Sequence, residues 1–381
     1  MRDAADKANF LARAFSNKFA QPDLIKNEFC VDGTRSVTEA FILVRKSHVC
    51  KTLSKMDIDS GTGPDLLASR VLVECSEELS LPLAKLIRRI IALSFWPTTW
   101  TIHWLMPLYK RKAVSDPENY RAINLTAQIS KAAERYLCPF FGPILEERAF
   151  GHAQFAYRKR HGARDAVLYY VLSWIDGLNE GNKIGIYCSD VSGAFDRVDS
   201  DLLMKKLESF GLNNKLIGVI RSWLRQRSGF VIVSGKMSEA IHLSNMVYQG
   251  TVWGPPLWNT FFGDCICSIS CCGFEAVVYA DDCNAFRSFH RQTANDTILE
   301  QLAECQASLH AWGRANRVVF DAGKEETMIV ATVNPLGGPV KLLGINFDNK
   351  LIMANAIHKC ATTAAWRTKA LLITRRFYST L

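Results

Sequence analysis

The stretch Val277-Val278-Tyr279-Ala280-Asp281-Asp282-Cys283 sets two adjacent carboxylates directly after an apolar run, and it constrains the fold more than any other segment. Residues Ala276 to Tyr279 are types that suit a half-buried pleated surface, so a strand is expected, with the acids where it turns. Neighbouring side chains on a strand point to opposite faces, so Asp281 and Asp282 do not share one environment. Two acids held close repel, and the repulsion is relieved by protonation, a basic partner or a divalent cation. A solvated Asp-Asp turn satisfies the same residues, since turns favour Asp. A third carboxylate on a second strand decides between these readings. Lys183 to Asp190 supplies it: a short apolar strand that ends on Asp190, followed by Ala194-Phe195-Asp196.

Composition narrows the function classes. A chain of 381 residues can bury a large core and suggests two or three domains or lobes. Its 48% hydrophobic and 22% charged residues are ordinary for a globular protein, and a soluble one is expected. The net charge of +9 favours a polyanionic partner, although a basic solvated surface gives the same number. The 12 cysteines are scattered, and Met1 to Ala20 shows no secretory pattern, so reduced thiols are expected rather than a disulfide framework. The cluster Cys265, Cys267, Cys271, Cys272 and Cys283 lacks paired C-x2-C spacing and a nearby His, which argues against zinc. No apolar run reaches the roughly 18 residues that span a bilayer.

Along the chain, Lys7 to Phe15 has the alternation of an amphipathic helix. Ser60 to Asp65 is a flexible turn without the Gly-Lys-Ser/Thr of a phosphate loop. Leu81 to Ser94 reads as a helix with one apolar and one basic face. Trp100 to Tyr109 reads as a strand running into Lys110-Arg111-Lys112, and Arg121 arrives shortly after. A hairpin there would offer Lys110 and Arg121 to phosphates, Arg as a bidentate fork and Lys as a point charge. A solvated basic turn is the plainer reading.

Ala127 to Leu145 is expected to be helical. Gln154-Phe155-Ala156-Tyr157-Arg158-Lys159-Arg160-His161 interleaves aromatics with cations, which suits stacking and phosphate contact, or a buried strand with a basic rim. Helices are expected near 165–175, 202–207, 216–224, 299–316 and 354–377. Strands are expected at 230–233 and 240–243, within 318–330, and as a single strand at 340–347. Val247 to Trp258 is a Gly/Pro loop opening a helix, and its glycines permit close backbone approach to a ligand.

Three acids on two strands, a Gly-rich helix entry and paired cations suit phosphoryl transfer with two divalent ions about 3.5–4 Å apart. No G-x-S-x-G elbow or matching Cys/His motif points to a nucleophilic hydrolase.

In the same residues the sequence resembles the reverse transcriptases, and more closely those of non-LTR (LINE-type) retrotransposons, with ordered motifs from about 55 to about 360. Tyr279-Ala280-Asp281-Asp282 resembles their metal-binding hairpin, and Asp190 with Ala194-Phe195-Asp196 their first palm motif. The resemblance implies that Asp190 and Asp281 hold two Mg²⁺ ions, with Mn²⁺ a substitute and Asp282 in support. It implies that Phe195 is the steric gate against a ribonucleotide 2′ hydroxyl and that Gln249-Gly250 meets nucleotide and template. Lys110 and Arg121 match residues that grip the triphosphate, the latter within Asn119-Tyr120-Arg121-Ala122-Ile123-Asn124-Leu125. Gln154, Tyr157 and Arg158 match template contacts, Lys324 a lysine that protonates pyrophosphate, and Leu343-Gly344 the primer grip. Tyr248 stands where the family usually has Pro, as does Ala122, and neither change removes a catalytic group.

The implied fold is α+β, a right-hand polymerase with fingers, an antiparallel-sheet palm and an incomplete thumb. Its expected divisions are an N-terminal helical extension at 1–50, fingers at 51–180, palm at 181–352 and the start of a thumb at 353–381. The implied activity is RNA-directed DNA polymerase, with an RNA template, a DNA primer or nicked DNA target, and dNTPs as partners. No membrane is implied, and the implied location is nuclear. No segment resembles an endonuclease, an RNase H or a zinc knuckle, so a part of a larger element's product, or a decayed copy with intact motifs, is expected. A non-catalytic nucleic-acid-binding remnant is the alternative from another class. RNA-templated RNA synthesis is disfavoured by Phe195, and a group II intron maturase by the lack of a maturase-like extension.

Overall fold

The computed structural model describes residues 3–19, 42–110 and 113–375. In chain order the first elements are helices α1 (Ala4–Lys18), α2 (Lys46–Leu53), α3 (Ser69–Glu74) and α4 (Ser76–Leu93), then strands β1 (Ile102–Tyr109) and β2 (Tyr120–Leu125). Helices α5 (Gln128–Leu137), α6 (Gly142–Arg148) and α7 (Ala163–Asn179) lead to β3 (Lys183–Asp190). Next come α8 (Ser200–Ser209), α9 (Asn214–Leu224), β4 (Arg227–Val233), β5 (Lys236–Met237), β6 (Ile241–Leu243), α10 (Gly254–Phe262) and α11 (Cys265–Ser270). The chain continues through β7 (Glu275–Tyr279), β8 (Asp282–Phe289), α12 (Asn295–Asn316), β9 (Glu326–Val330), β10 (Val340–Leu342), β11 (Ile345–Phe347) and α13 (Ala354–Thr374).

Two compact units are assembled from discontinuous segments. The first comprises Met1–Tyr157, Val191–Ile266 and His310–Val319. Its sheet runs β2-β1-β4-β5, with β6 also on β4; β1 and β4 are parallel and the other pairs antiparallel. Pro107 lies past the part of β1 that pairs with β4, so its missing N–H leaves that ladder intact. Helix α1 lays Ala8, Leu11, Ala12 and Phe15 against β4 to β6, and Asp3 caps its start by accepting from Ala5 N–H. An aromatic interior surrounds Trp253, with Trp96 at 5.0 Å and Trp223 and Phe141 both at 5.4 Å, centroid to centroid. Such pairs add to the burial of their large apolar areas.

The second unit comprises Arg158–Asp190, Cys267–Leu309 and Phe320–Leu381. Its sheet is antiparallel throughout, in the order β7-β8-β3-β9. Helix α7 covers β3 and β7, burying Tyr170 and Trp174; the Tyr170 hydroxyl donates to Val277 O at 3.2 Å and accepts from Asn284 Nδ2 at 2.8 Å. Helix α13 packs beside β11 and has no fully buried residue.

Three sequence expectations are corrected. The helix over 127–145 is two, α5 and α6, because Pro139 opens a 3-10 turn and Pro143 starts α6. The segment at 340–347 is a hairpin, β10 and β11, turned by Leu343 (φ 46°) and Gly344 (φ 89°), the left-handed pair that a two-residue hairpin turn needs. Residues Gln154 to His161 form turns rather than a buried strand. The described cysteines are free thiols, and among the described residues no helix is long and apolar enough to cross a membrane.

Candidate active site

The acidic residues gather in the second unit. Strands β7 and β8 are joined by the two-residue turn Ala280-Asp281, closed by the pair Tyr279 and Asp282. Ala280 holds φ at 60°, a left-handed conformation that costs a non-glycine residue roughly 1 kcal/mol and recurs where function fixes the backbone. In the β3–β8 ladder Asp190 is the direct partner of Asp282, and directly opposed residues of antiparallel strands share a face. The register therefore places Asp282, rather than Asp281, opposite Asp190. Ser189 Oγ donates to Cys283 O at 2.8 Å and pins the same end of the ladder.

Burial pushes the Asp282 carboxyl up to about 6, and the Asp281 and Asp190 charges add to the rise while Lys324 opposes it. The charges of Asp281 and Asp190 thus bear on Asp282, and the Lys324 ammonium opposes them. Among the described residues no three potential ligands converge as a finished metal cage. The carboxylates are nonetheless hard oxygen donors of the kind that Mg²⁺ and Mn²⁺ take. The Lys324 ammonium donates to Asp190 Oδ2, a cation already standing where the acids require one.

Asp321 builds that contact. Its N–H donates to Asp190 O at 2.9 Å, docking the loop onto the end of β3, and its carbonyl accepts from Lys324 N–H at 2.8 Å. Its carboxylate also lies 3.4 Å from the Lys324 ammonium. Partial burial works against the Lys324 charge, but the hydrogen bond and charge of Asp190, followed by those of Asp321, leave its pKa raised. The ammonium therefore keeps its proton at neutral pH.

The remaining expected site residues belong mostly to the first unit. Strands β1 and β2 form the hairpin expected from the sequence: Leu108 pairs with Arg121, and Lys110 N–H donates to Asn119 O at 2.8 Å. Both Lys110 and Arg121 are exposed. Asn124 N–H on β2 donates to Gln249 O at 2.9 Å, fastening the Gly-rich loop to the same hairpin. Gly250 holds φ at 104°, and a Cβ there would lie 2.6 Å from Asn124 O. Gly250→Ala is expected to cost about 1–3 kcal/mol and to slow any activity that uses the loop. Chemical denaturation compared with a rate assay checks this; an unchanged midpoint would contradict the steric argument.

Phe195 is 8% exposed and stacks on Trp258 (5.5 Å, interplanar 20°), with Tyr157 edge-on at 5.8 Å. Trp258 is fully buried, so it fixes the ring plane of Phe195. Burial pushes the neighbouring Asp196 carboxyl up to about 6 against the pull of Lys18, Arg121, Lys110 and Arg197. Tyr157 is 51% exposed, as a surface contact requires. Gln154 is turned inward instead: it is fully buried and its Oε1 accepts from Ala156 N–H at 2.9 Å, so it shapes the turn that presents Tyr157. Arg158 opens the second unit, and Leu343 and Gly344 form the tip of the β10–β11 hairpin.

Sequence reasoning overlooked Glu134, which is fully buried. Its Oε2 accepts from Val252 N–H (2.8 Å) and Trp253 N–H (3.3 Å), and its Oε1 from Trp223 Nε1 (3.1 Å) and Ser130 Oγ (3.3 Å). Beside it His103, Asn124 and Arg227 form a buried chain. The Arg227 guanidinium donates to His103 Nε2, and His103 Nδ1 donates to Asn124 Oδ1 at 2.8 Å. Burial, then the Arg227 charge, keeps His103 well below its ordinary pKa and so neutral, as this donor and acceptor pattern requires. Trp258 and Asp321 were also passed over; each is visible only through its tertiary partner.

The family described as reverse transcriptase (RNA-dependent DNA polymerase) matches residues 109–347. The chain is 25% identical over 319 residues to a probable RNA-directed DNA polymerase from transposon BS of Drosophila melanogaster, covering 80% of this chain and 34% of that protein. It is 23% identical over 272 residues to an RNA-directed DNA polymerase from mobile element jockey of Drosophila melanogaster, covering 69% of this chain and 30% of the relative. The chain thus spans about a third of the length of these relatives. Among solved structures it is similar to apo telomerase from Candida tropicalis, with a TM-score of 0.46 at 13% identity over 67% of this chain and 54% of that one.

Proposed function

Because the chain belongs to the reverse transcriptase (RNA-dependent DNA polymerase) family, we propose that it adds deoxynucleotides to a primer 3′ end on an RNA template. The observation that carries this reading is the opposition of Asp190 and Asp282 across adjacent strands, with Asp281 in the turn and Lys324 on Asp190. Asp190, Asp281 and Asp282 would hold two divalent ions, Mg²⁺ with Mn²⁺ as a substitute, which when bound supply Lewis-acid stabilisation of the attacking and leaving oxygens.

The chain's own groups take the other roles. Lys110 and Arg121 neutralise the triphosphate, and Gln249 and Gly250 bring backbone close to the nucleotide and template. Phe195, whose ring Trp258 stacks against, would act as the gate that excludes a 2′ hydroxyl. Lys324, an ammonium that contacts Asp190 and lies 3.4 Å from the Asp321 carboxylate, takes the role of proton donor to pyrophosphate. Tyr157 and Arg158 contact the template, and Leu343 and Gly344 the primer. In this reading the fingers, palm and beginning of a thumb lie at 51–180, 181–352 and 353–381. The element is of the non-LTR type, acting in the nucleus with a nicked DNA end as primer.

The test is primer extension on primed RNA with Mg²⁺ and dNTPs, with template binding measured in parallel. Metal-dependent extension is expected and should vanish on chelation. Binding without extension would instead favour a non-catalytic nucleic-acid-binding protein. Phe195→Val is expected to raise incorporation of ribonucleotides relative to deoxynucleotides by on the order of 10²-fold, a range typical of a pocket that admits or rejects one hydroxyl. Unchanged sugar selectivity would remove the gate assignment.

A further inference from the structure

We propose that Lys18, the last residue of α1, is a positioning residue for nucleotide binding: it fixes the hairpin that carries Lys110 and Arg121. The proposal rests on the phosphate-gripping role given to those two cations above. Helix α1 lies outside the span 109–347 matched by the family, so nothing in that match gives it a function.

The helix is firmly seated. Ala8, Leu11, Ala12 and Phe15 are buried, and Asn9 Oδ1 accepts from Glu239 N–H at 2.8 Å. Its C-terminal end reaches two pieces of the nucleotide side at once. The Lys18 ammonium donates to Tyr120 O at 3.4 Å and Glu118 O at 3.5 Å, and lies 3.5 Å from the Glu118 carboxylate. These acceptors flank the turn into β2, where Tyr120 immediately precedes Arg121 and Asn119 O holds Lys110 N–H. On the other side Arg197 Nε donates to Lys18 O at 3.0 Å, tying the end of α1 to the segment two residues beyond Phe195. Each lysine contact is long and individually modest, but three acceptors share one ammonium whose side chain is only 19% exposed.

The end of a two-stranded edge frays more readily than its centre; here the rings of Tyr109 and Tyr120, 5.5 Å apart, and the Tyr120 hydroxyl on Val114 O hold the last pair from within the hairpin, and Lys18 adds a tie from outside it. Lys18 closes that end against a helix, so the backbone bearing Arg121 is ordered before a nucleotide arrives. Preorganisation of this kind appears in affinity for the ligand rather than in the chemical step.

The test uses the full chain with Lys18→Met, which keeps the stem and removes the charge, and Lys18→Arg as the conservative variant. Hydrogen exchange without nucleotide reads the clamp directly. Lys18→Met is expected to lower protection of the amides around 118–122 and leave α1 protected. Single-nucleotide incorporation on primed RNA reads the consequence. The KM for dNTP is expected to rise about tenfold, the size of one charge-assisted hydrogen bond, with kcat and primer-template affinity unchanged and Lys18→Arg restoring most of the loss. Unchanged protection, or an unchanged KM, overturns the proposal. A uniform fall in kcat, template affinity and global stability overturns it too, since that pattern marks a merely structural residue. If the parental chain itself fails to extend a primer, the functional reading fails on that measurement, and the proposal falls with it even where the exchange data show a clamp.

Discussion

Asp190→Asn is expected to abolish primer extension while leaving the fold and RNA binding in place. The substitution keeps the side-chain shape and removes one charge from a group that faces Asp282 across the β3–β8 ladder. Losing several kcal/mol of stabilisation at the reacting oxygens corresponds to a rate loss on the order of 10³-fold or more. Stability should move little, because two opposing changes accompany the charge removal. Asp282, whose carboxyl is raised to about 6 partly by Asp190, loses a like-charged neighbour and moves back toward the ordinary carboxylate range. Lys324 meanwhile loses its main anionic partner, leaving Asp321 at 3.4 Å to hold it. Denaturation, RNA-binding anisotropy and extension measured on one preparation separate these effects. Extension within tenfold of the parent, with folding intact, would remove Asp190 from the reaction, and Asp281→Ala provides the matching control at the turn.

The sequence made the strands and their acids readable because their signal is local. The apolar run before Asp281 and the apolar strand ending at Asp190 follow from residue type within a few positions, and β7 and β3 lie where that pattern puts them. The pairing of Asp190 with Asp282 was not readable, since register between distant segments is set by packing of the whole sheet. Nor was the break between α5 and α6, or the turn between β10 and β11. There a Pro and a Leu-Gly pair interrupted apolar runs that resembled continuous elements. Gln154 shows the same limit at a side chain: beside aromatics and cations it looks like a contact residue, yet it faces inward. Glu134 is the converse, a charged residue flanked by Arg135 that would ordinarily be placed on the solvent face of its helix.

Glu134 is also where the sharpest loss of stability is expected. Glu134→Ala leaves Trp223 Nε1 and the N–H groups of Val252 and Trp253 without their carboxylate acceptor in an interior that offers no replacement from the removed side chain. A buried donor left unsatisfied costs about 1–3 kcal/mol, so the combined effect should be on the order of 4 kcal/mol after local relaxation. The Arg227 guanidinium, buried nearby and favoured in its charged form by Glu134, loses that support as well. Glu134→Gln keeps one acceptor oxygen and should lose about half as much. The functional consequence follows from the loop that Glu134 holds: Val252 and Trp253 are two and three residues beyond Gly250, whose neighbour Gln249 accepts from Asn124 N–H. Loosening one end of that loop should raise the KM for dNTP in the Gln variant even at temperatures where the chain stays folded. Denaturant midpoints of the parent and both variants, with nucleotide titrations on the Gln variant, read the two effects separately. A midpoint for Glu134→Ala within about 0.5 kcal/mol of the parent would mean that the buried carboxylate contributes nothing to holding the loop.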